Sequence, residues 1–376
     1  MKTKLVAMFL PQYHEIEENN RWWGKGFTDW VSARNAKPLF EGHNQPKIPQ
    51  NNNYYDLSNP KTLSWQAKLA KEHGVDAFCF YHYWFSTEQK LLTKPAENFL
   101  SDNSIDIEFM FAWDNASWIR TWSKFKQNAN AWTPLIDGNN TETLNDEQSG
   151  VLAELKYGDE NDWKIHFDYL LPFFSDKRYI KIDKKPVFIL WNKPNANSSI
   201  LLRMKDYWNE LAQKAGFDGM YFISRDIPYR KSMVGDVLFN YEPEYSGWKN
   251  RNLLIKIYRK IIKEISKKKK LGLLDYDKVW HKILRYAKKH KNGLYGCFVN
   301  YDDTPRRGEA GKVIINGTPD KFKNYLNQLY DISCKRNKEL LFITAWNEWG
   351  EGAYLEPDLI DGYAYLEAIK FIKDNY

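Results

Sequence analysis

Eight strand-like runs of apolar residues are the feature of this sequence that most constrains its fold. Most of these runs are apolar at nearly every position rather than at alternate positions. A strand that is buried on both faces of a parallel sheet has this pattern. The predicted strands cover residues 4–10, 75–81, 107–113, 186–191, 219–224, 236–241, 294–300 and 339–346.

Helical patterns lie between many of these runs. Two of them end at a glycine, Gly74 or Gly216, as helices often do. Buried strands that mostly alternate with helices predict an α/β fold, namely a (β/α)8 TIM barrel that spans residues 1–376 as a single domain with loop insertions. The predicted helices cover residues 63–73, 200–215, 321–338 and 363–374.

Two segments fit the barrel pattern less well. Residues 225–235 separate the fifth and sixth predicted strands and barely provide the length of a crossover helix. Residues 117–162 show no clear strand or helix pattern. We predict that their polar part, residues 137–150, forms a flexible loop over the face where the strands end.

The composition narrows the classes of function. Aromatic residues make up 16% of the chain, and the flat face of tryptophan suits a sugar ring as well as a packed core. Cys79, Cys297 and Cys334 are widely spaced, which argues against a disulfide framework or a cysteine metal site. The apolar run near the start is too short for a secretory signal, and no run is long enough to span a bilayer, so we expect a cytoplasmic protein.

Positive charge is concentrated in residues 249–291, which hold 16 Lys or Arg and 3 acidic residues, while the formal net charge of the chain is +7. Apolar residues at helical spacing over 253–265, followed by four lysines at 267–270, predict a basic amphipathic helix. We expect a helical insertion that packs on the barrel. The alternative is attachment to an anionic membrane surface, at the inner face of the membrane, or to a lipid-linked glycan. Nucleic acid fits less well because no binding motif accompanies the charge.

The C-terminal ends of the predicted strands carry Asn, Asp, Tyr, His and Trp, and this is the face that holds the active site in such barrels. After the eighth strand, Glu348 and Glu351 stand among glycines and tryptophans, and Glu356 follows just before Pro357. Breaking a glycosidic bond needs one group to protonate the departing oxygen and another to act on the anomeric side. Glu348 and Glu351 are therefore the predicted catalytic pair, and the alternative is a pair of solvated rim charges.

The motifs, taken in order along nearly the whole chain, resemble those of the WbsX-like glycosyltransferases, a group related to glycoside hydrolase family 99. The motif at residues 22–30 (WWGKGFTDW) is very specific. The others are FLPQYH at 9–14, AKPLF at 36–40, GH at 42–43, QP at 45–46, YDL at 55–57, FYHYWF at 80–85, YDDTPRR at 301–307 and AWNEWGEG at 345–352.

This resemblance implies a (β/α)8 barrel that acts on glycans. The related hydrolases cleave α-mannosidic bonds with retention, and the WbsX-like members are associated with assembly of surface polysaccharides such as O-antigen. By the same resemblance, Glu348 is the base that deprotonates the sugar's 2-hydroxyl, which gives a 1,2-anhydro sugar, and Glu351 is the acid/base.

One motif differs from that of the family. Where the family has WANENW, residues 113–118 read WDNASW, so Ala116 replaces an acid and Asp114 lies two residues earlier.

Further substrate contacts are expected from residues at strand ends and in the matched motifs. Each has a plainer alternative: His82 as a core histidine, Trp22 and Trp23 as core residues, and Arg306 in a salt bridge rather than on an acidic sugar or phosphate. The candidates are Gln12, Tyr13, His14, Trp22, Trp23, His82, Tyr83, Trp113, Asn115, Trp118, Tyr241, Glu242, Tyr301, Asp302, Arg306, Asn347 and Trp349. The sequence has no metal-binding motif and no glycine-rich nucleotide loop, so we expect no metal and no other cofactor.

Three functions follow from these observations. The first is a glycan-active enzyme that makes or remodels a cell-surface polysaccharide of the O-antigen or capsule type. The second is a retaining, endo-acting α-mannosidase-like hydrolase. The third, suggested by Ala116, is a glycan-binding protein without catalytic activity. In each case the expected partner is an oligosaccharide or polysaccharide.

Overall fold

A barrel of parallel strands forms the centre of the molecule. The computed structural model describes residues 2–119, 151–191, 198–227, 234–249 and 271–376. Within these residues, each of the eight predicted strands corresponds to a strand of the barrel. They are β1 (Lys4–Phe9), β2 (Ala77–Trp84), β3 (Glu108–Trp113), β4 (Lys185–Leu190), β5 (Tyr221–Arg225), β6 (Val237–Phe239), β7 (Tyr295–Phe298) and β8 (Leu340–Thr344).

The strands pair in the order β6–β5–β4–β3–β2–β1–β8–β7, and every pair is parallel. A parallel bridge between Phe239 and Leu294 links β6 to the residue before β7, where the Leu294 amide donates to the Leu238 carbonyl over 2.8 Å. This bridge closes the ring of strands. The predicted (β/α)8 barrel is therefore confirmed, while the single domain over residues 1–376 stays a prediction.

Helices and short strands surround the barrel, and the four predicted helices correspond to α3, α6, α9 and α10 of the following set. The α-helices of the described residues are α1 (Glu17–Trp23), α2 (Asp29–Asn35), α3 (Pro60–Glu72), α4 (Lys94–Ser101), α5 (Glu160–Ser175), α6 (Ser198–Lys214), α7 (Tyr276–Lys289), α8 (Thr304–Arg307), α9 (Pro319–Lys335) and α10 (Ala364–Asn375). Short strands outside the ring are Lys90–Leu91, Trp118–Ile119, Val151–Ala153, Lys181–Ile182, Gly272–Asp275, Lys312–Ile315, Asn347–Glu348 and Ala353–Tyr354.

Local sequence signals explain why α3 forms where it does. Its N-cap residue, Asn59, accepts a hydrogen bond from the Lys61 amide, and Pro60 occupies the first turn, where its missing amide hydrogen costs nothing. The chain then leaves the helix through Gly74, whose φ of +83° is a conformation that glycine adopts readily. The helix is placed so that Leu63, Ala67 and Ala70 are buried.

The core is rich in aromatic residues. All eight residues of β2, AFCFYHYW, are buried, and no position of β8 is exposed either. Continuous burial explains why these strands have no alternating pattern in the sequence. Aromatic residues are favoured in strands because they pack well on a pleated surface, and part of the high aromatic content is therefore structural.

The two irregular segments differ from the regular βα pattern in distinct ways. The described residues between β5 and β6 contain no helix. In residues 117–162, Trp118–Ile119 pairs antiparallel with Val151–Ala153, and α5 begins at Glu160. The loop predicted over residues 137–150 lies outside the described residues.

The basic segment is described in part. The predicted amphipathic helix at 253–265 and the lysines at 267–270 lie outside the described residues. The following helix, α7, buries Val279, Trp280 and Ile283, and Trp280 stacks on Phe298 of β7 with ring centroids 5.5 Å apart. This described part therefore packs on the barrel. Among the helices that are described, none has the length and the apolar character needed to span a membrane, and attachment to a membrane surface stays a prediction.

Candidate active site

Glu348 and Glu351 lie directly after the C-terminal end of β8. The chain first forms the short strand Asn347–Glu348 and then a tight turn at Trp349–Glu351. The side chain of Asn347 fixes this segment against the end of β1, because its Oδ1 accepts from the Leu10 amide over 2.7 Å and its Nδ2 donates to the Leu10 carbonyl over 3.0 Å. Asn347 thus acts on the backbone at the junction of β8 and β1.

Both glutamates contact one guanidinium group. Arg306 Nη1 donates to Glu351 Oε1 over 2.6 Å, and Nη2 lies 3.3 Å from Glu348 Oε2. The Glu348 side chain is 6% exposed, whereas the Glu351 side chain is 23% exposed. The two carboxyl groups are therefore neighbours in unequal environments.

Asp29, the first residue of α2, holds the other side of Arg306. Its Oδ1 accepts from Arg306 Nη2 over 3.0 Å and from Nε over 3.2 Å, and its Oδ2 accepts from the Gly350 amide over 3.1 Å. A Cβ atom at Gly350 would lie 2.6 Å from both Arg306 Nε and Asp29 Oδ2. Glycine is therefore required at this position for the aspartate and the arginine to approach the turn.

The hydroxyl of Tyr13 connects this turn to Asp29. Its hydroxyl donates to the main-chain oxygen of Asn347, accepts from the Trp349 amide over 3.0 Å, and lies 3.3 Å from Asp29 Oδ2. The tyrosine is buried. The ends of β1 and β8 and the start of α2 thus converge on one hydrogen-bonded cluster.

The electrostatics of the cluster distinguish Glu348 from an ordinary surface glutamate. Burial and the charges of Glu351 and Asp29 raise the pKa of Glu348 to about 8, although Arg306 lowers it. Burial lowers the pKa of Arg306, but Asp29, Glu351 and Glu348 together raise it well above its usual value. Arg306 is therefore charged, and Glu348 is a group that retains a proton near neutral pH.

Tyrosines surround the two carboxyl groups. The Tyr81 hydroxyl donates to the Tyr241 hydroxyl over 3.1 Å. Burial raises the pKa of Tyr81, Tyr83 and Tyr241, and the charge of Glu348 raises each of them further. Burial and the charge of Glu351 likewise raise the pKa of Tyr301. These side chains therefore lie within electrostatic range of the candidate catalytic pair.

Tryptophans extend the aromatic surroundings. Trp118 packs on Tyr83 with ring centroids 4.9 Å apart and on Trp22 at 6.2 Å. Trp349 stacks on Tyr354 with centroids 3.7 Å apart, and Trp23 packs on Phe27. Trp22, Trp23 and Trp349 are buried, whereas Trp118 is half-buried. Trp118 is therefore the most accessible of these predicted sugar-binding tryptophans.

His82 and Trp113 point away from this group. His82 Nε2 lies 2.8 Å from His166 Nε2 of α5, and Trp113 packs on the same histidine with centroids 5.1 Å apart. Burial and the charge of Lys90 lower the pKa of His82 to about 3. Successive side chains of a strand point to opposite faces, so Tyr81 and Tyr83 lie on one side of β2 and His82 on the other. This position favours the alternative of a core histidine.

Three other predicted contact residues, Asn115, Glu242 and Asp302, make hydrogen bonds within the protein. The Asn115 amide donates to the Tyr157 hydroxyl over 3.0 Å, and Glu242 accepts from the hydroxyl and amide of Ser246. Asp302 accepts from Gln45, lies 2.7 Å from His43 Nε2, and accepts from the Thr304 amide over 3.0 Å and from the Thr304 hydroxyl over 2.6 Å. Asp302 thereby fixes the segment that carries Arg306.

Gln12 and His14 follow β1. The Gln12 carbonyl accepts from the Asp29 amide over 2.9 Å, so the backbone of Gln12 positions the start of α2. His14 is buried, and its Nδ1 has no hydrogen-bond partner among the described residues. Burial lowers the pKa of His14, while the charge of Asp56 raises it.

The motif after β3 places an acid, Asp114, near Tyr83. Asp114 is close enough to Tyr83 that its charge raises the pKa of the tyrosine, as the charge of Glu348 does. The charges of Asp114 and Glu348 therefore both raise the pKa of Tyr83, in addition to the larger effect of burial. Ala116 itself is half-buried.

Sequence reasoning did not select Asp29, Tyr81 or Glu356 as site residues. Asp29 and Tyr81 stand inside the matched motifs, which was the available signal. Glu356 lies beneath Trp349, whose Nε1 donates to it over 2.7 Å, and it also accepts from Tyr55 over 2.8 Å and Gln66 over 2.6 Å.

Across the described ranges, no group of three or more His, Cys, Asp or Glu side chains has an arrangement that would hold a metal ion.

Comparison with known proteins adds a family and a fold. The model of the family described as Glycosyltransferase WbsX matches residues 5–369. Two curated relatives, both named Uncharacterized protein WxcX and both from strains of Xanthomonas campestris pv. campestris, are 27% and 28% identical over 97% of this chain and 49% of their own length. The chain thus spans about half the length of the curated relatives it matches.

Solved structures are similar over almost the whole chain. The GH99 endo-alpha-mannosidase from Bacteroides thetaiotaomicron aligns with a TM-score of 0.57 and 12% identity, over 99% of this chain and 96% of that one. A structure described as a glycoside hydrolase-like protein aligns with a TM-score of 0.57 and 13% identity, over 99% and 94%. At this level of identity the likeness shows the fold alone.

Proposed function

The chain belongs to the glycosyltransferase WbsX family, and from this premise we propose that it is an enzyme that makes or remodels a cell-surface polysaccharide with retention at the anomeric carbon. The observation that carries the proposal is the contact of Glu348 and Glu351 with the same Arg306 guanidinium. Two carboxyl groups that share one cation lie close enough to act on a single sugar residue.

In the proposed first step, ionised Glu348 takes the proton of the 2-hydroxyl of the sugar. The freed O2 forms a bond to C1 as the bond from C1 to the leaving oxygen breaks, and Glu351 gives its proton to that oxygen. In the second step, an acceptor hydroxyl gives its proton to Glu351 and attacks C1 as the C1–O2 bond breaks, and O2 takes its proton back from Glu348. Two inversions give net retention, and both glutamates return to their starting states.

The unequal environments of the pair support this scheme. A carboxylate whose pKa is raised, as burial does for Glu348, is a stronger base once it is ionised. The more exposed Glu351, at 23%, is the member that a leaving group can reach from outside. In the unliganded protein, burial favours the proton on Glu348, so the scheme requires the proton to be on Glu351 when substrate is bound.

The reaction class is tested by incubating the protein with α-mannosyl oligosaccharides, with and without acceptor oligosaccharides. Elongated acceptors support the proposed transfer. Free reducing ends indicate an endo-acting α-mannosidase-like hydrolase instead, in which water replaces the acceptor, and binding without turnover indicates a glycan-binding protein. Glu348→Gln and Glu351→Gln are expected to abolish turnover. The matched control is Glu367→Gln, which changes an exposed glutamate of α10 and should leave turnover unchanged. If both site variants turn over at the wild-type rate, the proposed mechanism is wrong.

The roles of the two glutamates are tested with a substrate whose leaving group needs no protonation, such as a dinitrophenyl glycoside. Glu351→Gln should retain release of dinitrophenol in the first step, because the acid is then dispensable there, although the second step still lacks its base. Glu348→Gln should not, because the 2-hydroxyl still needs a base. The opposite pattern would exchange the two roles.

A further inference from the structure

A second surface of the molecule has the chemistry of a carbohydrate site. A groove of about 420 Å³ lies behind the segment that follows β8, and it is lined by the loop at 49–55, by α3 and by the start of α10. Its volume lies within the range of small-molecule binding sites, roughly 300–1,000 Å³. Trp349, which lies between the two glutamates in the sequence, lines the groove, whereas Glu348 and Glu351 do not.

The groove presents aromatic rings at its rim. Trp65 is 37% exposed and Tyr363 is 41% exposed, which is unusual for side chains of this size in a protein whose other tryptophans are mostly buried. Both rings are held in place: Trp65 packs on Tyr55 with centroids 6.0 Å apart, and Tyr363 stacks on His73 at 6.1 Å with planes 17° apart. Fixed, partly exposed aromatic faces suit the apolar faces of sugar rings.

Amide side chains form the adjacent wall. Asn51, Asn52 and Asn53 are exposed, and their side chains have no hydrogen-bond partner among the residues that the structure describes. The loop that carries them is fixed by main-chain hydrogen bonds from Asn52 to Pro49 over 2.9 Å and from Gln50 to Pro357 over 2.9 Å. Each amide offers a donor pair and an acceptor, which is the pattern that neighbouring sugar hydroxyls can meet.

The lining offers no positive charge to an anionic ligand. Among the described residues that line the groove, Glu356 is the one with an acidic side chain, and no lysine or arginine is present. Glu356 is buried, and its oxygens already accept from Tyr55, Gln66 and Trp349. A phosphate or an acidic sugar would therefore lie in the groove without a compensating charge.

We propose that this groove binds an uncharged glycan segment, outside the candidate catalytic centre, so that a polymer substrate is held at two places. This inference rests on the proposed function for the nature of the polymer. The amide side chains of residues 51–53 and the rings of Trp65 and Tyr363 together favour the binding of a neutral oligosaccharide. A proline-rich peptide would also stack on such rings, and the experiment separates the two.

The test uses the full chain labelled with fluorotryptophan and carrying Glu348→Gln, so that no probe is consumed. The fluorine NMR signal of Trp65 is assigned by its loss in Trp65→Phe. Neutral oligosaccharides from mannan, dextran and galactan are titrated, alongside oligogalacturonate and a polyproline peptide. The Trp65 signal should shift saturably with at least one neutral oligosaccharide and not with the acidic one.

Two further variants show whether the groove itself is responsible. Asn53 has a φ of −75°, so Asn53→Ala introduces no backbone strain, and it should weaken binding about tenfold, the effect of losing one well-placed contact. Phe371→Ala, which removes an exposed ring elsewhere on α10, should leave binding unchanged. A Trp65 signal that no neutral oligosaccharide moves, or that moves with polyproline alone, overturns the proposal.

The outcomes for the groove and for the proposed function are distinguishable. If the protein turns over glycans while the Trp65 signal does not shift, the groove proposal fails and the proposed function stands. If the Trp65 signal shifts with neutral oligosaccharides but no turnover depends on Glu348, the groove proposal stands and the proposed reaction fails.

Discussion

Glu356 is a buried carboxyl group beneath Trp349, and we predict that removing its charge makes the protein less sensitive to alkaline pH. Burial raises the pKa of Glu356 to about 7, although hydrogen bonds from Trp349, Gln66 and Tyr55 lower it. The ordinary value is 4.5. In the unfolded chain the group therefore ionises at a lower pH than in the folded protein.

The sign and size of the effect follow from this difference. Well below pH 4.5 the group is protonated in both states and has no effect on the free energy of unfolding. As the pH rises from 4.5 to about 7, the unfolded chain releases the proton first, so the folded state loses stability. The full difference corresponds to about 3 kcal/mol, most of which develops between about pH 5 and pH 8.

Glu356→Gln tests this reasoning because it keeps the shape of the side chain and removes the titration. One amide oxygen can still accept from Trp349 and Tyr55. The side-chain oxygen of Gln66 is buried without a hydrogen-bond partner in the described part of the chain, so the Gln66 amide can turn and accept from the new NH2 group. The substitution should therefore be tolerated.

The assay is urea unfolding of the wild type and of Glu356→Gln at pH 5 and pH 8. The variant should gain about 2–3 kcal/mol of unfolding free energy relative to the wild type on going from pH 5 to pH 8. The exposed Glu367→Gln variant should show no such gain. If the difference between Glu356→Gln and the wild type is the same at both pH values, the assignment of a raised pKa to Glu356 is wrong.

Three further predictions concern the site and the core. Arg306→Lys keeps the charge but cannot contact Asp29 and both glutamates at once, so turnover in the glycan assay should fall about 100-fold; an unchanged kcat contradicts the bridging role. Gly350→Ala places a Cβ 2.6 Å from Arg306 Nε and should cost about 1–3 kcal/mol in urea unfolding. Burial lowers the pKa of both His82 and His166, so stability should decline as the pH falls from 6.5 towards 3. The double variant His82→Phe, His166→Phe should decline less steeply, and an equal slope refutes this.

The barrel could be predicted from the sequence because its strands are buried on both faces. A continuous apolar run such as β2 cannot be mistaken for a surface strand. Helix α5 was harder, since its aromatic residues and Pro172 obscure a clear helical period. A signal was nevertheless present at its start, where Asp159 and Asp162 cap each other's amides.

The candidate catalytic pair could be predicted because Glu348 and Glu351 are close in sequence. Their partnership with Asp29 could not, because Asp29 and Arg306 are 277 positions apart and meet only when the barrel closes. Position at a strand end also does not say which way a side chain points. The two-residue period of β2 directs Tyr83 towards Glu348 and His82 towards α5, and a strand boundary known to within one residue is needed to tell them apart.

The charges of the cluster suggest a division of labour among its acids. Arg306 contacts three carboxyl groups, so the cluster keeps an excess of negative charge even when the glutamates share one proton. Asp29 is bound by the Gly350 amide as well as by Arg306, which makes it the anchor of the cation and leaves Glu348 and Glu351 to exchange protons. In the proposed reaction, positive charge develops on the sugar ring as the bond to C1 breaks. A buried site with fixed excess negative charge stabilises that state more than the neutral substrate, because little reorganisation is needed when the charge appears. Burial is the largest cause of the raised pKa of Glu348, and the charges of Glu351 and Asp29 raise it further, so the carboxylates that stabilise the transition state also add to the basicity of this glutamate.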